Sequence, residues 1–368
     1  MEMRKQYHGL DVVKFFLAVL VAERHVVQIF FDASSKWRVL LNNWMSNLAV
    51  PVFFIIAGFF LFQKTEVPAA GRQADRQNAG ENGLMDDGHD IGEGRKRVYR
   101  YCGRILRMYL IWSLIYLPID LYNWYHGERI IGEGVLGWLH SFLFCSTIPQ
   151  LWYLPALALA SFLVWAAYSR GIKPWQILAA GAVLLICGYL GDNWYYNQNF
   201  PQKLQELLAL YRSVFLTPRN GVFYGIFYVA LGLFVAKTTW RLPFWGASAG
   251  FLFFFWCMYR EVMKISDPGS NTNFVLFAAP AAYCLFTAAS AVNWKPRKVY
   301  ERLRGMSQWI YLSHFYFFYF LNWLRPWNPV PFNSKTVTVM ILVQVLLFSW
   351  CMVRLSETAA GNWLKKLI

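Results

Sequence analysis

The segment GLDVVKFFLAVLVAERHVVQIFF, residues Gly9 to Phe31, has the length and apolar character of a helix that crosses a lipid bilayer. A charged side chain within such a helix costs about 3 kcal/mol on insertion scales, so it usually faces protein or water and marks a functional site. This segment nevertheless carries Asp11, Lys14, Glu23, Arg24 and His25. It therefore predicts both a first membrane span and the location of a site.

Lys14 and His25 lie eleven residues apart within this segment. In an α-helix that separation is about three turns with roughly 20° of drift, so both side chains share one face, and the rise between them is about 16 Å. One face thus presents a cation near one membrane surface and an imidazole more than halfway across. This arrangement suits a long ligand that enters from one side and reacts deep inside.

The composition of the whole chain indicates a helical protein that crosses the membrane many times. Its 368 residues are 57% apolar and only 15% charged, and windows of about 20 apolar residues recur along the sequence. The net charge of +15 is typical of basic loops that touch anionic lipid, and nucleic-acid binding is not predicted. The six cysteines have no CxxC spacing, and no His, Cys and carboxylate set has metal-ligand spacing, so neither a disulfide framework nor a metal site is predicted.

Hydropathy predicts an all-α, polytopic membrane protein with about ten transmembrane helices. The predicted spans are 10–31, 44–63, 104–123, 150–168, 175–191, 220–236, 243–260, 273–291, 307–324 and 336–354. If the N-terminus is cytoplasmic, the inward-facing loops are the more basic ones, which predicts that both termini are cytoplasmic. The apolar stretch 135–146 is too short to span, and we expect it to be an interfacial or re-entrant piece on the outer side.

The chain is predicted to form a single transmembrane domain, residues 1–368, with one polar insertion. From Thr65 to Gly94 the sequence is rich in Gly, Asp, Asn and Ala and has almost no aromatic residues. Such a composition favours a flexible loop, so residues 65–94 are predicted to be a flexible cytoplasmic insertion. No second soluble domain is predicted.

A basic stripe follows this insertion. Arg97, Arg100, Arg104 and Arg107 are spaced 3, 4 and 3 residues apart, which places them along one side of a helix that enters the third span. Lipid-headgroup anchoring is the favoured explanation for Arg97 and Arg100. Arg104 and Arg107 enter the apolar segment, where a guanidinium needs a fixed anionic partner, and phosphate suits its bidentate geometry.

Five short motifs, taken in chain order, resemble the integral-membrane acyltransferase-3 family, which acylates extracytoplasmic glycans and related acceptors. They are the cation and histidine of the first span with ten residues between them, LAVPVFFIIAGFFLF (48–62), RILRMY (104–109), LWYLPAL (151–157) and GMSQWIYLSHFYF (305–317). The resemblance covers essentially the whole chain. Lys14 stands where the family has arginine and Ala57 where it usually has serine, and the pair Glu23-Arg24 is not part of the family pattern.

The resemblance implies that His25 is the catalytic histidine. Acyl transfer from a thioester to a hydroxyl needs a base for the hydroxyl proton, and an imidazole that burial keeps neutral is suited to that task. An acyl-imidazole intermediate is the alternative chemical role, and the sequence does not separate the two. A histidine that only hydrogen-bonds to a neighbouring helix is the structural alternative.

The implied donor is an acyl-CoA made in the cytoplasm, with acetyl-CoA as the first candidate, and no permanently bound cofactor is expected. Its phosphates would lie near Lys14, Arg104 and Arg107, with the pantetheine arm running up the helix bundle toward His25. The rise of about 16 Å between the levels of Lys14 and His25 is the distance that this arm would cover.

Three further residues are candidates for binding substrate. Trp152 and Tyr153 could line the acceptor path, because aromatic faces stack on sugars, and an aromatic belt at the outer membrane interface is an equally good explanation. His314 could assist in the pocket, and a structural hydrogen bond is the alternative.

These features predict a multi-pass O-acyltransferase of the bacterial inner membrane, in contact with the lipid bilayer. It would acylate a saccharide or a lipid-linked glycan on the far side of the membrane, and self-association is left open. The rival prediction is a transporter that moves a small molecule or an acyl group without making the ester, since intramembrane charges serve either function.

Overall fold

The computed structural model describes residues 6–30, 39–65, 87–125, 134–193, 196, 198–239, 241–265, 274–324 and 334–368, and every regular element within them is helical. The α-helices in chain order are α1 (His8–Phe30), α2 (Ala49–Phe62), α3 (Asp87–Tyr125), α4 (Gly134–His140), α5 (Tyr153–Tyr168), α6 (Pro174–Asp192), α7 (Gln202–Phe215), α8 (Ile226–Lys237), α9 (Phe244–Ile265), α10 (Ala278–Ala291), α11 (Lys298–Leu324) and α12 (Ser334–Ser356). Shorter 3-10 or π-helical stretches precede α2 and α8, follow α4, and close the chain at Asn362–Lys366.

The all-α prediction is confirmed for the described residues, and each of the ten predicted spans contains a helix. Within the described ranges, four helical segments are long and apolar enough to cross a membrane, namely Val39–Phe62, Gly92–Tyr125, Pro174–Asp192 and Thr336–Ser356. The count of ten spans and the cytoplasmic termini stay predictions. Residues 135–146 are helical, and their interfacial position stays a prediction as well.

The predicted insertion is shorter than the sequence suggested. Helix α3 begins at Asp87, so residues 87–94 are helical and not part of a loop. Residues 66–86 lie outside the described residues. The composition of 65–94 concealed the helix start because its glycines and aspartates have low intrinsic helix propensity, which the packed continuation of the helix overrides.

Helix α1 occupies the middle of the helix packing. It contacts α2, α10, α11 and α12. Its buried apolar residues are Leu10, Leu17, Ala18, Val21, Ala22 and Val26. Its charged residues Asp11 and Arg24 are buried against these neighbours, as expected for charges within a span.

Helices α2 and α8 approach so closely that glycine is required on both. A Cβ atom at Gly58 would lie 2.5 Å from the Val229 carbonyl oxygen, and one at Gly232 would lie 2.6 Å from the Phe59 nitrogen. These contacts are with backbone atoms, which cannot rotate away as a side chain can. The small residues therefore fix the separation of the two helices, as is common between membrane helices.

We expect Gly232→Ala to destabilise the protein, because the added methyl group forces α2 and α8 apart at a cost of about 1–3 kcal/mol. Thermal unfolding of the purified protein in nanodiscs measures the effect. Gly103→Ala in α3 is the matched control, because a Cβ there meets nothing within 4 Å. That control should be neutral or slightly stabilising, and equal melting temperatures for the two variants would contradict the packing argument.

An exposed ion-pair group joins α11 to the end of α12. Arg302 donates from Nε to Glu357 Oε1 at 2.8 Å and from Nη2 to Oε2 at 3.1 Å, and Arg354 lies 3.3 Å from the same carboxylate. The Arg302 guanidinium holds the pKa of Glu357 below its ordinary value. Its contribution to stability is therefore present at neutral pH and is lost as the pH falls through that lowered pKa.

Candidate active site

Two helices that run in the same direction carry the site. Early in both helices, Arg304 Nη1 of α11 lies 3.8 Å from Asp11 Oδ2 of α1. About 21 Å further along α1 and about 15 Å further along α11, the rings of His25 and His314 stack with their centroids 5.3 Å apart and an interplanar angle of 21°. Early residues thus pair with early ones and late with late, so α1 and α11 are parallel.

Helix α11 repeats the pattern that the sequence showed on α1. Arg304, Ser307, Tyr311 and His314 are spaced 3, 4 and 3 residues apart, which places them on one face. Arg304 precedes His314 by ten residues, much as Lys14 precedes His25 by eleven. Each helix therefore presents a cation at one level and a histidine at the other.

A cavity of about 600 Å³ lies at the level of the cations. Five cationic side chains line it, namely Lys14, Lys64, Arg97, Arg104 and Arg304. Among the described residues that form its wall, none has an acidic side chain, and Asp11, which pairs with Arg304, lies outside the wall. The cavity is thus strongly positive and open to an anion of considerable size.

Aromatic rings hold several of these cations in place. Lys14 Nζ lies 5.4 Å from the centre of the Phe60 ring, and the Arg104 guanidinium lies 5.7 Å from that of Tyr101. Arg97 Nη1 donates a hydrogen bond to the Lys64 carbonyl at 2.6 Å, which joins the start of α3 to the end of α2. Cation–π contacts of this kind fix a positive charge without neutralising it.

The end of the described chain also borders the cavity. Ile368 contributes to the wall, and Trp112 Nε1 donates a hydrogen bond to the Leu367 carbonyl at 2.9 Å. Leu364 is buried against the core. These contacts tie the short helical stretch Asn362–Lys366 to α3 beside the cavity.

The structure brings some of the predicted binding residues together and separates others. Lys14, Arg104 and Tyr153 all line the cavity. Arg107 is exposed and is not among the cavity residues. It lies about 100° around the helix from its neighbour Met108, which does line the cavity.

The stacked rings of His25 and His314 lie further along α1 and α11 than the cations, and we call this position the histidine level. His25 also packs against Phe315, with ring centroids 4.7 Å apart, and it is half-buried, whereas His314 is 1% exposed. Neither histidine lines the cavity. Tyr311, which does, is one helical turn, about 4.5 Å, from His314 on α11. The wall of the cavity therefore reaches to within one turn of the histidines, whereas the cation Arg304 lies about 15 Å from them along the same helix.

Two arginines accompany His25, the buried Arg24 and the half-buried Arg219, and sequence reasoning assigned a role to neither. Arg24 Nη1 donates hydrogen bonds to Asn47 Oδ1 at 2.7 Å and to Ser46 Oγ at 3.3 Å. Arg219 lies over the ring of Trp152, 4.7 Å from its centre. Both arginines are near enough to His25 for their charges to act on its imidazole, and the Asp192 carboxylate acts in turn on Arg219.

Because Arg219 contacts the Trp152 ring, Trp152 belongs to the histidine level. The next residue, Tyr153, lines the cavity instead. Asn220 helps to set this arrangement because its side chain caps the π-helical stretch before α8, accepting from Val222 N at 2.9 Å and Phe223 N at 3.1 Å. That cap fixes the backbone next to Arg219. No local sequence pattern marks Arg219, which follows α7 in an irregular segment.

The chain as a whole matches one known family. An acyltransferase domain of the acyltransferase-3 type matches residues 7–354. The chain belongs to the acyltransferase-3 family. The match includes α1, α11 and every residue of the cavity and the histidine level except the final residue of the chain.

The curated relatives of this family member carry other names. An "Amino-acid racemase" of Enterococcus faecalis is 23% identical over 346 residues, which is 93% of this chain and 45% of the relative. A "Serine/alanine racemase" of Enterococcus gallinarum is 26% identical over 317 residues, 84% of this chain and 40% of the relative. The chain thus spans less than half the length of these relatives. No solved structure matches it.

Proposed function

We propose that this acyltransferase-3 protein is an O-acyltransferase of the bacterial inner membrane. It moves an acyl group, acetyl first among the candidates, from cytoplasmic acyl-CoA to a hydroxyl of an extracytoplasmic or lipid-linked saccharide. The observation that carries the proposal is the cation-lined cavity that lies one helical turn from a histidine pair on the same two helices. Family membership supports acyl transfer as the reaction class.

The cavity has the charge that an acyl-CoA donor needs. Coenzyme A carries its phosphates at one end and its reactive thioester at the far end of a flexible arm. Lys14, Arg104 and Arg304 would bind the phosphates, because ammonium and guanidinium groups both make strong charge-assisted hydrogen bonds to phosphate oxygens. Arg304 joins this set because it lines the cavity, and Arg107 leaves it because it does not.

His25 would carry the chemistry at the far end of the arm. The acceptor hydroxyl gives its proton to the imidazole, its oxygen bonds to the thioester carbonyl carbon, and the carbon–sulfur bond breaks. The proton then passes to the departing thiolate, which leaves as coenzyme A. In the alternative, His25 attacks the thioester carbonyl carbon, and a nitrogen–carbon bond forms as the carbon–sulfur bond breaks. The acceptor oxygen then bonds to that carbon and displaces the imidazole.

Trp152 and Arg219 support a saccharide acceptor at the histidine level. The Trp152 ring offers an apolar face for a sugar, and the adjacent Arg219 and Arg24 offer donors for its oxygens. Tyr153 faces the cavity and would contact the arm of the donor. Trp152 would thus contact the acceptor, and Tyr153 the donor.

A membrane transporter without ester synthesis is the second candidate function. The observation in its favour is that the same domain makes up less than half of relatives named for racemase activity. In such proteins a membrane part could supply a small molecule to another part of the chain. Buried cations and histidines would serve that role too.

The experiment that separates the two is release of thiol from acetyl-CoA by purified protein in nanodiscs, with and without a panel of saccharide acceptors. Release that depends on an acceptor supports the transferase. If folded protein releases no thiol with any donor or acceptor, and the same protein in liposomes takes up a small molecule, the transporter is the better account.

A further inference from the structure

His314 has an unusual hydrogen-bond state for a buried histidine. Its Nδ1 lies 2.9 Å from the Ile310 carbonyl oxygen one turn earlier on α11. Its Nε2 is buried and has no hydrogen-bond partner in the part of the chain that the structure describes. The ring is 1% exposed and stacks on His25.

The Ile310 carbonyl determines which nitrogen carries the proton. A carbonyl oxygen only accepts, so Nδ1 must be the donor in this contact. In the neutral ring, Nε2 is then a bare acceptor. Leaving a buried acceptor without a partner is costly, so such an atom is expected to meet a donor in the functional complex.

The substrates differ in what they can offer to that atom. The thioester group of the donor has a carbonyl oxygen and a sulfur, and neither carries a proton. A saccharide acceptor has several hydroxyl groups, each of which can donate. We propose that Nε2 of His314 accepts a hydrogen bond from a second hydroxyl of the acceptor, next to the hydroxyl that reacts at His25.

This inference rests on the proposed acyl transfer and specifies how the acceptor is oriented beside His25. The reacting hydroxyl gives its proton to His25, while the second hydroxyl keeps its proton and only orients the acceptor. Two imidazoles whose ring centres are 5.3 Å apart can each bind one of two neighbouring oxygens. The expected acceptor class is therefore a vicinal polyol, such as a sugar ring, and not an isolated alcohol.

Three small alcohols and two variants test the inference by thiol release from acetyl-CoA. Propane-1,2-diol has neighbouring hydroxyls, propane-1,3-diol has separated ones, and propan-1-ol has a single one. His314→Asn keeps a donor for the Ile310 carbonyl but has no atom at the Nε2 position, whereas His314→Gln can place an amide oxygen there. Thermal stability and acetyl-CoA binding are measured for both variants, so that a folding defect is recognised.

We expect wild-type kcat/KM to be about 5- to 100-fold higher for the 1,2-diol than for the other two alcohols. His314→Asn should remove this preference through a higher KM for the diol, and His314→Gln should restore part of it. Equal use of the three alcohols by the wild type would overturn the inference, and so would a preference that survives His314→Asn. In those cases the proposed function stands, whereas wild-type protein that acylates no acceptor at all refutes both.

Discussion

Replacing His25 with glutamine is expected to lower the rate of acyl transfer by about 10²- to 10⁴-fold, the usual contribution of a positioned general base. Glutamine keeps polar atoms near the imidazole nitrogens but cannot take up a proton. The affinity for acetyl-CoA should change little, because His25 does not line the cation cavity. The measurements are acceptor-dependent thiol release and equilibrium donor binding on the same preparation.

His140→Gln is the matched control for this prediction. His140 is the last residue of α4, where it packs against Phe144 with ring centroids 5.3 Å apart, away from the site. Its replacement should leave both transfer and donor binding near wild type. If His25→Gln were as active as His140→Gln, the imidazole would have no part in the chemistry.

The second large effect is expected on the affinity for the acyl-CoA donor. The double variant Arg104→Gln, Arg304→Gln removes two of the five cations that line the cavity. A hydrogen bond to a charged group contributes about 1.5–3 kcal/mol, and exposure to water in an open cavity reduces this toward the lower value. We therefore expect each replacement to weaken acetyl-CoA binding about tenfold and the pair about 100-fold.

Arg107→Gln is the control for the donor site. It removes the same charge from the same helix, one turn from Arg104, but from a side chain that does not line the cavity. Its effect on donor affinity should be small and should vanish at high salt, since it acts only through the overall field. Equal losses for Arg104→Gln and Arg107→Gln would mean that the helix supplies charge in general and not a defined site.

The sequence was informative wherever one helix decides the answer. The spacing of Lys14 and His25 follows from helix geometry alone, and the same reasoning placed Arg104 on a helix face that proves to line the cavity. The family resemblance, seen in five motifs, is confirmed by the match over residues 7–354.

Contacts between different helices could not be predicted from the spacing of residues within one helix. Arg304 belongs to the cavity because α11 lies parallel to α1, and a single sequence does not contain the register between two helices. Arg24 points about 100° away from His25 on α1, so helix geometry alone does not place it in the same pocket. Hydrogen bonds to Asn47 and Ser46 hold its long side chain. The spacing of Arg304 and His314 was the one visible signal, since it nearly repeats that of Lys14 and His25.

The central claim is that the cation cavity binds the phosphates of an acyl-CoA whose thioester reacts at the histidine level. Its most direct test is calorimetric binding of acetyl-CoA, acetyl-dephospho-CoA and acetyl-pantetheine to wild-type protein in nanodiscs. The account predicts saturable binding that weakens in that order as phosphates are removed, with acetyl-pantetheine weakest by at least about 100-fold. Equal affinity for acetyl-pantetheine and acetyl-CoA, or no saturable binding of either, would contradict it.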